Sequence, residues 1–129
     1  MTRYKKGPIQ RFSWGRFIIN GYEHSDNGKV VGKGKDIRLI GDTISEWSER
    51  DGHRLKKEMI TDIYKKDVEV LIIGIGVEKR VKCPKKVIRD IRLHGIKSVV
   101  IKSTPKACKE YNKLYIKGIK VALLAHGTC

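Results

Sequence analysis

The sequence has 129 residues and a mass of 14.8 kDa, and its 29 Lys and Arg against 14 Asp and Glu give a formal charge of +15. This length fits one domain, since typical domains hold roughly 100–150 residues. A composition that is 40% hydrophobic and 33% charged excludes a disordered chain. No apolar run reaches the roughly 18 residues that a membrane helix needs. We therefore expect one domain over residues 1–129, with flexible tails at 1–8 and 126–129 and no membrane partner.

Cysteine and amide usage indicate the compartment. Three widely spaced cysteines, Cys83, Cys108 and Cys129, do not suit a disulfide framework and favour a reducing, cytoplasmic setting. The basic N-terminus is not followed by the apolar stretch of a secretory signal. Glutamine occurs once and asparagine three times, which is a thermophile-like composition. We expect a cytoplasmic monomer or weak homo-oligomer.

The N-terminal third predicts short strands and turns. Two β-prone runs flank Trp14-Gly15, and Asn20-Gly21 follows as a strong hairpin signal. Glycine-rich turns come next, and an alternating run then predicts a strand with Ile37 and Leu39 on one face and Arg38 on the other. The strands in question are Ile9 to Ser13, Arg16 to Asn20 and Asp36 to Ile40, and the turns are Asp26-Asn27-Gly28 and Gly32-Lys33-Gly34.

The remainder of the chain alternates between helical and strand patterns. Apolar residues at helical spacing predict helices over 54–65 and 84–94, the second one ending at Gly95, and a third helix that opens at Thr104-Pro105 and closes at Gly118. Apolar runs predict buried strands over 68–73, 98–101 and 121–125. Strands joined by crossover helices indicate an α/β fold around a parallel or mixed sheet.

Several of these runs resemble a known family. They are Glu69-Val-Leu-Ile-Ile-Gly-Ile-Gly76, Pro84, Gly95-Ile96, Thr104-Pro-Lys-Ala107, Tyr111-Asn112 and Gly118-Ile-Lys-Val-Ala122. Over roughly residues 9–125 the chain is similar to the Mth-type domain of unknown function, as an archaeal-type member. That family includes the adipogenesis-associated Mth domain-containing protein and a mitochondrial assembly factor for respiratory complex I. The resemblance implies a single-domain three-layer α/β/α sandwich around a mixed sheet with an N-terminal β-hairpin region, and it implies no catalytic activity.

A candidate anion pocket lies where two predicted strands end. Glycines after a buried strand let backbone N–H groups approach an anion, and a helix N-terminus attracts one. If the strands are parallel neighbours, both loops meet at the carboxyl edge of the sheet, where α/β folds place ligands. An ordinary glycine turn beside a helix cap is the alternative. The candidate residues are Gly74, Gly76, Ser103, Thr104 as N-cap, Lys102, Lys106, Tyr111 and Asn112.

The sequence offers only fragments of a metal or catalytic site. His126 and Cys129 have zinc-ligand spacing, and Cys108 or His53 would have to complete the set. Because the set is incomplete, we predict no metal and no cofactor. Cys83 precedes a helix start beside Lys82 and Lys85, but no histidine lies near it in sequence, so an unreactive thiol is favoured and the catalytic residues stay unknown. The carboxylates Glu46, Glu49 and Asp51 beside Trp47 indicate a solvated polar loop.

The positive charge is concentrated in the C-terminal part of the chain. Residues 79–129 hold fourteen basic and two acidic residues, a net charge of +12. On helix 84–94, Lys85, Lys86, Arg89 and Arg92 recur on one face, opposite Val87, Ile88 and Ile91. This pattern favours a non-enzymatic interaction or assembly module for a protein partner or a small anion. One alternative is a nucleic-acid-associated protein, although no aromatic residues for base stacking are interleaved with these basic positions. The other alternative is an enzyme that acts on a small anionic substrate.

Overall fold

The computed structural model describes residues 1–25, 36–41 and 43–129. The α-helices are α1 (Lys85–Leu93) and α2 (Thr104–Ile116). The strands are β1 (Thr2–Arg3), β2 (Ile9–Ser13), β3 (Arg16–Ile19), β4 (Tyr22–Ser25), β5 (Asp36–Ile40), β6 (Thr43–Glu46), β7 (Val70–Gly74), β8 (Ser98–Lys102) and β9 (Val121–His126). The predicted turn at 26–28, the Val30-Val31 run, the loop at 32–34 and Asp42 lie outside the described residues.

The strands form two sheets. One is a four-stranded antiparallel sheet in the order β1-β2-β3-β4. The other has five strands in the order β6-β5-β9-β7-β8. Within it β7 runs parallel to both β8 and β9, whereas β5 is antiparallel to β9 and to β6. The predicted mixed sheet with helical crossovers is therefore confirmed.

Each face of the mixed sheet has its own apolar cluster. On one face α1 and the 55–68 segment cover Leu71, Ile73 and Leu124. On the other face α2 and the four-stranded sheet cover Ile72 and Leu123. Successive residues of β7 and β9 point alternately into the two apolar clusters. Both faces of these strands are therefore buried, which explains their continuous apolar sequences. The α/β architecture is confirmed, and the predicted N-terminal hairpin region proves to be a full sheet that shares its layer with α2.

The helix predicted over 54–65 is wrong. This segment forms two short 3₁₀ helices, Lys57–Met59 and Thr61–Lys65. Lys56 has an extended backbone, and the Leu55 N–H donates to the Lys82 carbonyl at 2.9 Å, so the start of the segment pairs like a strand. The apolar residues are nevertheless buried, because short 3₁₀ turns also place them against the sheet.

The solvated loop predicted around Trp47 holds for Glu46 and Asp51, which are exposed, but not for Trp47 and Glu49. Trp47 is only 1% exposed, and its indole N–H donates to the Met59 carbonyl at 2.9 Å. Glu46 ends β6, and both carboxylate oxygens of Glu49 accept hydrogen bonds from the Arg38 guanidinium at 2.8 and 3.1 Å. Arg38 thus lies on the face of β5 opposite Ile37 and Leu39, as the alternation predicts, but its charge is paired and largely buried.

Asn112 joins α2 to the four-stranded sheet. Its side-chain amide donates to the Ile9 carbonyl at 2.7 Å and accepts from the Ile9 N–H at 3.1 Å, and all of these groups are buried. Gly7 has a positive φ of 108°, and a side chain there would overlap Asn112. The amide therefore replaces the hydrogen bonds that a further strand would have made with Ile9.

We expect Asn112→Ala to lower the free energy of unfolding by about 2–4 kcal/mol, because it leaves the buried N–H and C=O of Ile9 without partners. Urea denaturation measures the loss. Lys113→Ala, at the adjacent exposed position, is the control and should change stability by less than about 0.5 kcal/mol. An equal loss in both variants would contradict this assignment.

Candidate functional site

The candidate site lies at the carboxyl edge of the mixed sheet. Gly74, at the end of β7, lies opposite Lys102 of β8 and Ala125 of β9. Because these strands are parallel, the turn after β7, the start of α2 and the residues after β9 meet at this edge. The predicted proximity of the 74–76 loop to the 103–104 loop is confirmed.

The hydroxyl of Thr104 connects these three segments. Thr104 is 0% exposed, its Oγ1 accepts a hydrogen bond from the Gly76 N–H at 2.9 Å, and it donates one to the His126 carbonyl at 2.6 Å. The Thr104 N–H in turn donates to the Gly76 carbonyl at 3.1 Å. Thr104 is the first residue of α2 and Ser103 is the N-cap, which corrects the predicted cap by one residue. The hydroxyl does not cap the helix because the turn and β9 already use it.

Close chain approach explains the two glycines. A side chain at Gly76, whose φ is +100°, would overlap the backbone of Cys129. An ideal Cβ at Gly74 would lie 3.0 Å from the Thr104 hydroxyl. Glycine is therefore needed at both positions for packing, independently of any anion.

The structure brings together only part of the predicted anion pocket. Gly74, Gly76, Ser103 and Thr104 adjoin one another, and Lys102 and Lys106 are exposed. Tyr111 and Asn112 instead belong to the interior between α2 and the four-stranded sheet. The N–H groups of Gly76 and Thr104 already have protein acceptors. Anion binding at this edge stays a prediction, and it would have to use other donors.

Residues 126–129 (the 126–129 segment) are held by backbone hydrogen bonds. His126 is the last residue of β9. The carbonyls of the next three residues accept from the N–H groups of Gly15 at 2.6 Å, Val77 at 2.7 Å and Arg80 at 3.0 Å. The segment for which the sequence predicts a flexible tail thus connects both sheets and the turn after β7.

His126 is oriented by a carboxylate that sequence reasoning missed. Its Nδ1 lies 2.6 Å from Asp36 Oδ1, and the other Asp36 oxygen accepts from the Arg50 Nε at 2.9 Å. Asp36 and His126 are direct cross-strand partners of β5 and β9. The sequence does not predict this contact, because predicting it requires knowing that β5 pairs antiparallel with β9.

Two further side chains complete a cluster around His126. Cys129 Sγ lies 3.6 Å from His126 Nε2 and 3.3 Å from His53 Nε2, and the Thr128 hydroxyl lies 3.1 Å from His126 Nε2. Among the described residues, the ligating atoms of His53, His126 and Cys129 all fall within 4.8 Å of one another. We call these three residues the His–His–Cys cluster. Of the two extra ligands that the sequence offered, the structure brings His53 to the cluster and buries Cys108 in the core.

Cys83 and Cys108 are not activated thiols. Burial raises the pKa of the Cys83 thiol to about 11 and that of Cys108 to about 12. Pro84 is the N-cap of α1, so Cys83 precedes the helix, but desolvation outweighs any lowering by the helix dipole. The favoured expectation of an unreactive Cys83 agrees with this environment.

The four basic residues of α1 lie together on the surface. Lys85, Lys86, Arg89 and Arg92 are exposed, while Val87 and Ile91 pack against the sheet. None of the four makes an ion pair with another described residue. We call these four residues the cationic face. In the described ranges, no helix has the length and apolar character that crossing a bilayer requires.

Comparison with known proteins identifies the fold. A family model described as "Protein of unknown function (DUF498/DUF598)" matches residues 9–126. The conserved hypothetical protein PH1505 from Pyrococcus horikoshii OT3 is 21% identical, with a TM-score of 0.77 and coverage of 94% of this chain and 98% of that one. A protein from Bartonella henselae, described as an outer membrane protein, is 23% identical, with a TM-score of 0.74 and coverage of 96% and 97%.

A third solved structure connects the fold with the Mth-type name. A Bordetella pertussis protein, described as a Mth938-like domain, is 13% identical, with a TM-score of 0.62 and coverage of 98% of this chain and 92% of that one. The resemblance noted in the sequence is therefore confirmed. At these identities the similarity shows the fold alone.

We expect Thr104→Val to lower the free energy of unfolding by about 2–3 kcal/mol, because the Gly76 N–H and the His126 carbonyl both lose a buried partner. Chemical denaturation measures the change. Thr104→Ser keeps the hydroxyl and should lose clearly less. If the serine variant loses as much as the valine variant, the hydroxyl is not the stabilising group.

We expect the Cys83 thiol to alkylate slowly at about pH 8, since its raised pKa leaves on the order of a hundredfold less thiolate than in a free cysteine. Peptide mass spectrometry after timed iodoacetamide treatment measures the rate, with free cysteine as the reference. The rate should climb as the pH approaches 11, where this thiol ionises. Labelling at the rate of free cysteine would show that the thiol is not desolvated.

Proposed function

Because the chain belongs to the DUF498/DUF598 family, which is described only as being of unknown function, we propose a function from its own surface: a non-enzymatic interaction module. In this proposal the cationic face binds an acidic, amphipathic segment of a protein partner. The observation that carries it is the set of four exposed basic side chains on α1 without ion-pair partners among the described residues. A cationic surface that no acidic residue in the described ranges neutralises is able to attract an acidic partner.

Apolar surface beside these charges favours an amphipathic partner. Ile88 is half-buried and lines a shallow depression together with Lys85, Arg89 and Arg92. Leu93, at the end of the same helix, is 84% exposed. An apolar contact surrounded by positive charges complements a helix or strand that carries both apolar and acidic side chains.

The same surface is less suited to nucleic acid. Stacking of bases requires exposed aromatic rings near the charges. Three exposed rings lie on the side of the mixed sheet opposite α1: Trp14 in the turn between β2 and β3, Tyr22 in β4 and Tyr115 on α2. An exposed leucine beside the cations also contributes nothing to phosphate contacts.

We expect Arg89→Ala combined with Arg92→Ala to weaken binding of an acidic peptide about two- to thirtyfold, since each of the two exposed ion pairs contributes about 0.2–1 kcal/mol. The probe is a fluorescein-labelled amphipathic peptide with glutamate on one face and leucine on the other. Fluorescence anisotropy gives its affinity. Alanine is a good helix former, so α1 should remain intact.

The matched control removes equal charge from the other helix. Lys109 and Lys113 are exposed on α2, across the sheet from α1, and their double alanine variant should bind the peptide as the wild type does. If both double variants weaken binding equally, the effect comes from the lower net charge and not from the cationic face, which would contradict the proposal. Tighter binding of a single-stranded oligonucleotide of the same charge, with a steep salt dependence, would favour nucleic acid instead.

A further inference from the structure

The His–His–Cys cluster holds three metal-ligating atoms within 4.8 Å of one another, and its two sulfur–nitrogen distances match those of a metal site. In a tetrahedral zinc site, Zn–S bonds of about 2.3 Å and Zn–N bonds of about 2.0–2.1 Å place sulfur and nitrogen ligands about 3.5 Å apart. The Cys129 sulfur lies 3.3 Å from His53 Nε2 and 3.6 Å from His126 Nε2. We propose that these three side chains bind a divalent transition-metal ion of the zinc class, with the fourth position open to solvent. The proposal is independent of the cationic face.

The hydrogen bonds of His126 prepare it as a ligand. Metal-ligating histidines donate their second ring N–H to a carboxylate or carbonyl, which fixes the ring and its tautomer. Asp36 is held as an ion pair by Arg50 and accepts from His126 Nδ1 at 2.6 Å. The other ring nitrogen, Nε2, therefore faces Cys129 and Thr128, and this is the nitrogen that would bind the ion. The Thr128 hydroxyl, which lies 3.1 Å from Nε2, is displaced or becomes a ligand when an ion binds.

Backbone contacts hold the other two ligands in place. The Lys82 N–H donates to the His53 carbonyl at 2.7 Å, and the Arg80 N–H donates to the Cys129 carbonyl at 3.0 Å. The Arg50 guanidinium, already bonded to Asp36, also donates to the Gly52 carbonyl next to His53. One charged network thus connects the residue that orients His126 to the turn that presents His53, which makes the site preorganised.

Access and ligand type select the ion. His126 is buried, Cys129 is half-buried and His53 is exposed, so an ion enters from the side of His53. Two imidazoles and one thiolate are a borderline donor set that suits Zn²⁺ and Co²⁺ and disfavours Mg²⁺ and Ca²⁺, which prefer oxygen. Three protein ligands with an open fourth position are also typical of zinc sites that bind a further small ligand.

A nucleophile–base pair is the competing explanation. Cys129, His126 and Asp36 follow the order of a nucleophile, a base and an orienting carboxylate. The position of His53 favours the metal, because a second imidazole 3.3 Å from the sulfur occupies space that an incoming substrate would need. The experiment below distinguishes the two.

Titration of the full chain, free of affinity tags, with Co²⁺ tests the proposal. We expect the near-ultraviolet thiolate-to-cobalt band and intense visible bands of tetrahedral Co²⁺, saturating at one equivalent and abolished by Zn²⁺. Cys129→Ser should remove the charge-transfer band. His53→Ala, at an exposed position where folding is not in question, and Asp36→Asn should each weaken Co²⁺ binding about 10–100-fold.

The controls are the other candidate thiol and another exposed histidine. Cys83→Ser and His94→Ala should bind Co²⁺ as the wild type does. The proposal is overturned if the wild type shows no charge-transfer band, if Cys129→Ser keeps it, or if His53→Ala binds with unchanged affinity. It is equally overturned if Cys129 reacts with chloroacetamide much faster in the wild type than in a folded His126→Gln variant while Co²⁺ does not bind.

Discussion

The arrangement at the carboxyl edge of the mixed sheet depends on one buried hydroxyl. Thr104 Oγ1 accepts from the Gly76 N–H and donates to the His126 carbonyl, so a single side chain joins the turn after β7, the first residue of α2 and the end of β9. The hydrogen bonds of such a hydroxyl add little net stability, because the same groups bond to water in the unfolded chain. Removing the hydroxyl is costly nevertheless, because it leaves two buried polar atoms without partners. The constraint also explains Gly74 and Gly76, since the chains approach there too closely for a side chain.

Fixing the end of β9 determines where the reactive side chains lie. From His126 the chain continues across the turn after β7, where the N–H groups of Val77 and Arg80 hold it, and Cys129 comes to rest beside His53. Asp36 reaches His126 from the antiparallel partner strand. The cluster is therefore assembled by the sheet topology, while the cationic face lies on α1, a separate element. The two features are structurally independent, and one can fail without the other.

The sequence predicts the elements well where local patterns decide them. Apolar runs predict the central strands to within a few residues. Gly95 and Gly118 likewise mark the ends of α1 and α2. It fails where tertiary contacts override the pattern: the 54–65 segment has helical spacing, but pairing of Leu55 with Lys82 prevents an α-helix. The proximity of the 74–76 and 103–104 loops is predictable from parallel strands. The His–His–Cys cluster is not, because His53 and Asp36 reach His126 only through the order and direction of the strands.

Amide hydrogen exchange, followed residue by residue by NMR, tests most directly whether the Thr104 hydroxyl holds the 126–129 segment. The N–H groups of Gly15, Val77 and Arg80 donate to that segment and should exchange slowly in the wild type. In Thr104→Val we expect all three amides to exchange faster together, by about tenfold or more. The N–H groups that hydrogen-bond β2 to β3 should change less. Fast exchange in the wild type, or unchanged protection in the variant, would contradict the account.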